Sequence, residues 1–198
     1  GLILVENSAS ADFKWRFYNS DGSVAEMCGS GARCVARFAF QKGITARPRM
    51  AFKTLAGIIH AQVTDDQVKI RMTDPQNLTT GAELELDGRV IEYSSVNTGV
   101  PHVVMAVDHI ETADVVGLGR VIRHHQRFAP AGTNVNFLSS ADGNWAVRTY
   151  ERGVEDETLA CGTGIVAAAL VLAEQKGAAS PVVLKTRSGS HLKVYYSK

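Results

Sequence analysis

At 198 residues, 45% of them hydrophobic and 21% charged, the chain is long enough for one large or two small domains with a true core. A net charge of +1, with acids and bases interspersed, offers no basic block for nucleic acid and no basic amphipathic segment for a membrane surface. The longest apolar run, residues 165–173, is far short of the ~20 that span a bilayer.

Residues 1–8 have neither the charged start nor the cleavage site of a secretory leader. Three cysteines, Cys28, Cys34 and Cys161, cannot all pair within one chain, and their spacing matches no zinc pattern. Free thiols in a reducing cytoplasm are therefore expected, with no metal.

The elements follow in chain order. F-K-W-R-F-Y, residues 13–18, reads as a strand. After Cys28 a helix runs to Gly43, with Lys42 in its last turn and one polar stripe through Arg33 and Arg37. Residues 57–63 and 67–72 flank T-D-D as a hairpin, and T-D-P-Q-N-L-T-T-G, residues 73–81, reads as a link. Asp87-Gly88 marks a second hairpin. H-V-V-M-A-V, N-V-N-F-L-S-S and W-A-V-R-T-Y supply further strands, with a short helix over residues 118–125. A helix from Cys161 to Gly177 is apolar on every side over residues 165–173, so protein must surround it. Residues 182–196 give the last strands. Asp12, Asp65 and Asp66 read as turn residues.

Two stretches repeat. Both R-F-Y-N-S-D-G-S-V-A-E-M-C-G-S-G and R-T-Y-E-R-G-V-E-D-E-T-L-A-C-G-T-G contain R-x-Y and then C-G-[ST]-G. An alanine-rich apolar segment and Q-K-G follow in each, with spacings that agree to within one residue. This predicts two copies of one strand–loop–helix unit. The fold class is α+β: two pseudo-symmetric domains, residues 1–78 and 79–198, each a mixed or antiparallel sheet around a central buried helix. If the halves match in size, about fifty residues are expected to be missing in front and about fifteen behind, so the chain is read as truncated at both ends.

Each copy sets a thiol at the mouth of a helix. The positive end of the helix dipole favours a thiolate there. The glycines let backbone N–H groups approach an anion. A pseudo-two-fold axis would bring both mouths to one cleft, with a sulfur on each side of a bound carboxylate. One thiolate could then remove an α-proton while the opposing thiol returns one to the other face.

The motifs N-S-D-G-S-V-A-E-M-C-G-S-G-A-R-C, G-V-P-H, G-T-N-V-N-F and E-R-G…A-C-G-T-G, in that order, resemble the diaminopimelate epimerase family over nearly the whole chain. The resemblance implies interconversion of LL- and meso-diaminopimelate without pyridoxal phosphate or any other cofactor, in lysine and peptidoglycan-precursor synthesis. It implies a small amino acid as partner, no nucleic acid or membrane, and admits a homodimer. Carried over, Cys28 and Cys161 are the catalytic bases, and His102 and Glu151 support them. Asn19, Asn134 and Arg152 hold substrate, while Gly29, Ser30, Gly162 and Thr163 supply amides at the helix mouths. The family usually has Asn where Ser30 and Val100 stand here, which bears on how the distal part of the substrate is held.

Other readings are weighed beside this one. A proline or hydroxyproline racemase on the same fold lacks support from E-R-G and the motif order. A redox switch linking Cys28 to Cys161 lacks an effector domain, and a binding module without catalysis leaves both thiols unexplained. Cys34 is expected to be buried as a small apolar residue. His124 and His125 diverge on a helix and read as solvated side chains rather than metal ligands.

Overall fold

The computed structural model describes residues 1–19, 21–141 and 143–197. Ser20, within the N-S-D-G stretch, lies outside the described residues. Contacts divide the chain into two units, Gly1–Asp74 and Pro75–Lys198.

The first unit contains strands β1 (Leu2–Glu6), β2 (Phe13–Tyr18) and β3 (Val24–Ala25), then helix α1 (Gly29–Gln41). Strands β4 (Arg49–Thr54), β5 (Gly57–Thr64) and β6 (Gln67–Arg71) complete it. The sheet order is β1-β2-β4-β5-β6, with β3 on β2, and β2/β4 is the parallel pair. Strand alternation turns Phe13, Trp15, Met50, Phe52, Ile59, Ala61 and Val63 inward. They meet Ala32, Val35, Ala36 and Ala39 of α1, whose small side chains let the helix lie close to the sheet. The Phe13 and Phe52 rings stack at 5.0 Å.

Three expectations change here. Cys34 is exposed. The buried positions of α1 form a stripe through residues 32, 35, 36 and 39, and residue 34 falls on the opposite face with the exposed Phe38. Asp12 is more than a turn residue. Its carboxylate accepts from Ala51 N at 2.7 Å, while its own N–H donates to Ala51 O at 2.9 Å, fastening the start of β2 to β4. Lys42 is the residue that caps α1, one position beyond its last turn.

The second unit contains β7 (Gln76–Leu86), β8 (Arg89–Asn97), β9 (Pro101–Ala106), helix α2 (Val115–Arg123) and β10 (Asn134–Ala141). It continues with β11 (Asn144–Glu151), β12 (Asp156–Thr158), helix α3 (Gly162–Lys176), β13 (Val182–Lys185) and β14 (His191–Val194). The order is β14-β13-β11-β10-β9-β8-β7, with β12 on β11. The β9/β10 and β11/β13 pairs are parallel. Asp87 and Gly88 take φ of 49° and 74°, the two positive values a tight hairpin turn requires.

The expected link is largely strand: residues 76–81 open β7, held to β8 from Gln76↔Asn97 onward. The register shifts between Thr79 and Ala82, where Gly81 takes a φ of 67°. A bulge there lets an irregular sequence stay in the ladder.

The sheet of the second unit is covered on both faces. One face presents Val96, Val104, Leu138, Val147 and Leu184 to α3, whose Ala167, Ala168 and Ala169 are fully buried. The other presents Val103, Met105, Val135, Phe137 and Tyr150 to Val115 and Ile122 of α2. Helix α2 begins three residues before the expected start, because Asp114 caps it by accepting from Gly117 N at 2.9 Å. Among the described residues no helix is long and apolar enough to cross a membrane.

The repeat is visible in topology. In the first unit β1-β2-β3-α1-β4-β5, and in the second β10-β11-β12-α3-β13-β14, make the same pairings with the same directions. Each helix follows a short return strand, and in each the N-capping residue is a cysteine.

Leu172 sits 2% exposed between α3 and its sheet, whereas Leu55 is 67% exposed in a turn. In urea denaturation Leu172→Ala is expected to cost about 2–5 kcal/mol, and Leu55→Ala to stay within about 0.5 kcal/mol of the parent.

Candidate active site

Strands β9 and β10 run parallel and start side by side, so His102 and Asn134 are register partners. Strand β11 runs back along β10 and ends in Glu151 at the same edge. Strand β12 then turns into α3, whose N-terminus arrives there as well. Four elements thus gather His102, Asn134, Glu151, Arg152, Cys161, Gly162 and Thr163 at one end of the second unit.

Hydrogen bonds join these residues. Asn134 donates through Nδ2 to Pro101 O at 3.0 Å and accepts at Oδ1 from Arg152 N at 2.9 Å. It therefore clamps the start of β9 to the turn that carries Arg152. The Arg152 guanidinium donates to Ala131 O at 3.2 Å. Cys161 is 7% exposed, and its Sγ lies 3.4 Å from Thr163 Oγ1. Thr163 O accepts in turn from the buried Thr98 Oγ1 at 3.1 Å.

Glu151 accepts from Thr158 Oγ1 at 2.8 Å and shares a hydrogen bond with the Cys161 thiol. Burial nevertheless pushes its carboxyl above the ordinary 4.5, outweighing both bonds. A carboxyl that protonates more readily, bonded to a thiol, is suited to exchanging a proton with it.

His102 is 1% exposed, and its Nδ1 lies 3.1 Å from Asn136 Nδ2. Burial, aided by the positive charge of Arg152, lowers its pKa from 6.5 to about 3. The ring is neutral at physiological pH.

The α3 face of the sheet changes character along its length. It is apolar at Val104, Leu138 and Val147, then polar toward the helix mouth at Asn136, Thr149 and Glu151. Gly164 lies over this polar end: a Cβ there would stand 2.3 Å from Asn136 Oδ1. The last glycine of C-G-T-G therefore makes room for a buried amide.

The first unit arranges its residues differently. Cys28 is half-buried and caps α1 by accepting from Gly31 N at 3.3 Å. Gly29 opens the helix, and the Ser30 hydroxyl accepts from Arg33 at 3.5 Å. Asn19 is exposed in the loop after β2, where its backbone N–H donates to Ser23 O at 2.8 Å and its side chain to Ser23 Oγ at 3.0 Å.

Asn136, Thr149, Thr98 and Thr158 enter the site without having been singled out in the sequence. Only Asn136 had a signal: in N-V-N-F it shares a strand face with Asn134, at a position that should be apolar beneath a helix. Elsewhere, His124 is exposed and lies 3.3 Å from Glu155, and His125 Nδ1 accepts from Arg127 N at 3.1 Å. Among the described residues no group of three or more His, Cys, Asp or Glu is placed to hold a metal ion.

A sequence model of the family described as diaminopimelate epimerase matches residues 1–78 and 94–195. The chain belongs to this family. It is 48% identical, along its whole length, to the diaminopimelate epimerase of Aquifex aeolicus, of which it spans 72%. It is 42% identical to that of Archaeoglobus fulgidus, with 96% of the chain and 71% of the relative aligned. Among solved structures, a hydroxyproline epimerase from Agrobacterium vitis matches with a TM-score of 0.75 at 19% identity. That match covers 98% of this chain and 66% of the other. A protein described as a probable proline racemase from Agrobacterium radiobacter matches with a TM-score of 0.73, also at 19% identity, covering 96% of this chain and 65% of the other. These two establish the shared fold and carry no inference about substrate.

The depressed pKa of His102 has a consequence for stability. As pH falls from 6.5 toward about 3, the unfolded chain binds this proton before the folded one does. Stability is then lost at up to about 1.4 kcal/mol per pH unit. Glu151 has the opposite sign, since its raised carboxyl favours the folded state at low pH and opposes it as pH rises past the ordinary 4.5. Thermal melts from pH 4 to 7 should show a shallower acid loss in His102→Gln and a gain at neutral pH in Glu151→Gln.

Proposed function

We propose that the protein interconverts LL- and meso-diaminopimelate, with Cys28 and Cys161 as its two acid–base groups. The observation that carries this is the duplicated β-strand, return-strand and helix unit with a cysteine at each helix cap, in a chain 48% identical to the Aquifex enzyme.

In the proposed reaction one thiolate takes the α-proton, the C–H bond breaks, and its electron pair moves into the α-carboxylate. The second thiol breaks its S–H bond and delivers that proton to the opposite face of the same carbon. Net charge and oxidation state are unchanged, so the step needs no redox partner and no pyridoxal phosphate. Backbone N–H groups at Gly29, Ser30, Gly162 and Thr163 oppose the negative charge that develops on the carboxylate.

Glu151 exchanges a proton with Cys161 and resets its protonation state between turnovers. Asn134 keeps one amide hydrogen beyond those it uses on the protein and offers it to substrate. Arg152 receives the distal carboxylate through its planar fork of donors, and Asn19 contributes from the first unit. A reaction through two reduced sulfurs belongs in a reducing compartment such as the cytoplasm. The product serves lysine and peptidoglycan-precursor synthesis.

The test is deuterium uptake from D2O at the α-carbon of LL-diaminopimelate, followed alongside epimerisation. The parent protein should do both. Cys28→Ala and Cys161→Ala should each lose epimerisation by at least ~10²-fold. Parental rates in either variant, or racemisation of proline with none of diaminopimelate, would overturn the assignment.

A further inference from the structure

The Asn136 side chain is fully buried and uses both ends of its amide. Its Nδ2 donates to Val103 O at 2.8 Å and faces His102 Nδ1 at 3.1 Å, while its Oδ1 accepts from Thr149 Oγ1 at 2.9 Å. The Val103 carbonyl accepts only, so the NH2 group must face it. A flipped amide would set its oxygen against the Val103 oxygen at 2.8 Å, with no hydrogen between them. The orientation of the amide is therefore fixed, and its second hydrogen points at His102 Nδ1. That nitrogen can only accept, because an N–H there would meet another N–H. The imidazole proton must reside on Nε2, and Nε2 is buried with no hydrogen-bond partner among the described residues. A buried donor left without a partner is destabilising, and such groups in native structures call for an explanation.

We propose that Asn136 is a positioning residue that locks His102 as its Nε2–H tautomer, so that the imidazole serves the reaction as a fixed hydrogen-bond donor to an anionic acceptor rather than as a base. The proposal rests on the reading of His102 as part of the epimerase site. Thr149 belongs to the same device, since its hydroxyl satisfies the amide oxygen that the Val103 carbonyl turns away from itself. Gly164 permits the device by leaving the space that the Asn136 oxygen occupies.

Long-range 1H–15N NMR of protein labelled with [15N]histidine, recorded without substrate at pH 7, reads the tautomer directly. His102→Gln identifies the His102 signals. In the parent protein His102 should show a protonated Nε2 and an unprotonated Nδ1. Asn136→Asp replaces the facing donor by an acceptor of nearly the same shape, and the proton should move to Nδ1. In kinetics the same variant should lose about 10²-fold in kcat with KM little changed.

A parent spectrum with Nδ1 protonated overturns the proposal, as does Nε2–H persisting in folded Asn136→Asp. An inverted tautomer with parental kcat overturns the use of that proton in the reaction. Should Asn136→Asp not fold, Asn136→Ala decides by removing the facing donor: loss of the single-tautomer signal supports the lock, and a signal like the parent's overturns it. The spectra are independent of turnover, so failure of the two-thiol assignment would appear in the cysteine variants while leaving the tautomer measurement intact.

Discussion

A helix that is apolar all round has no face to show to water, and that constraint organises the second unit. Helix α3 must be enclosed, and the sheet encloses it with Val96, Val104, Leu138, Val147 and Leu184. A fully seated helix cannot leave its first N–H groups exposed to bulk solvent along one side. They open instead onto the end of the sheet where the strand residues become polar. The site is thus a product of packing: the helix is held by apolar contacts along its length, and its mouth falls where Asn136, Thr149 and Glu151 replace valine and leucine.

The two units share a topology and differ in chemistry. Cys28 receives a backbone N–H and is half-exposed. Cys161 is buried beside a carboxyl and a threonine hydroxyl. The same divergence marks the repeated R-x-Y. Arg16 pairs with Glu6 near the surface, whereas Arg148 grips Glu157 with two bonds of 2.6 Å and also donates to Ile110 O at 2.8 Å. A two-way reaction does not require two identical acids. In the two-thiol reaction proposed above, either thiol has to be restored to the state its partner needs, and the carboxyl beside the buried one would give that proton a local route.

Much of this architecture was legible in the sequence. The duplicated R-x-Y…C-G-[ST]-G pattern revealed the repeat because each letter has its own physical cause: strand, helix cap, close backbone approach. Asp87-Gly88 revealed its hairpin because few residue pairs accept two positive φ values. The failures have causes too. Residues 76–81 look like a linker because Gly81 and the polar residues around it hide a bulged strand. Cys34 looks apolar, yet helical phase rather than residue type decides its face. The network of Asn136, Thr149 and Thr98 was illegible because it depends on contacts between strands, and a sequence reports only the alternation within each one.

The shared glycine after C-G-S and C-G-T shows how duplication can preserve a letter for unequal reasons. At Gly164 an added methyl group would strike the Asn136 oxygen at 2.3 Å. At Gly31 the same methyl would rest 3.4 Å from Cys28 and Ile3, an ordinary contact. Sterically, then, the first copy has room for alanine while the second is confined to glycine, so one repeated letter answers to two different constraints.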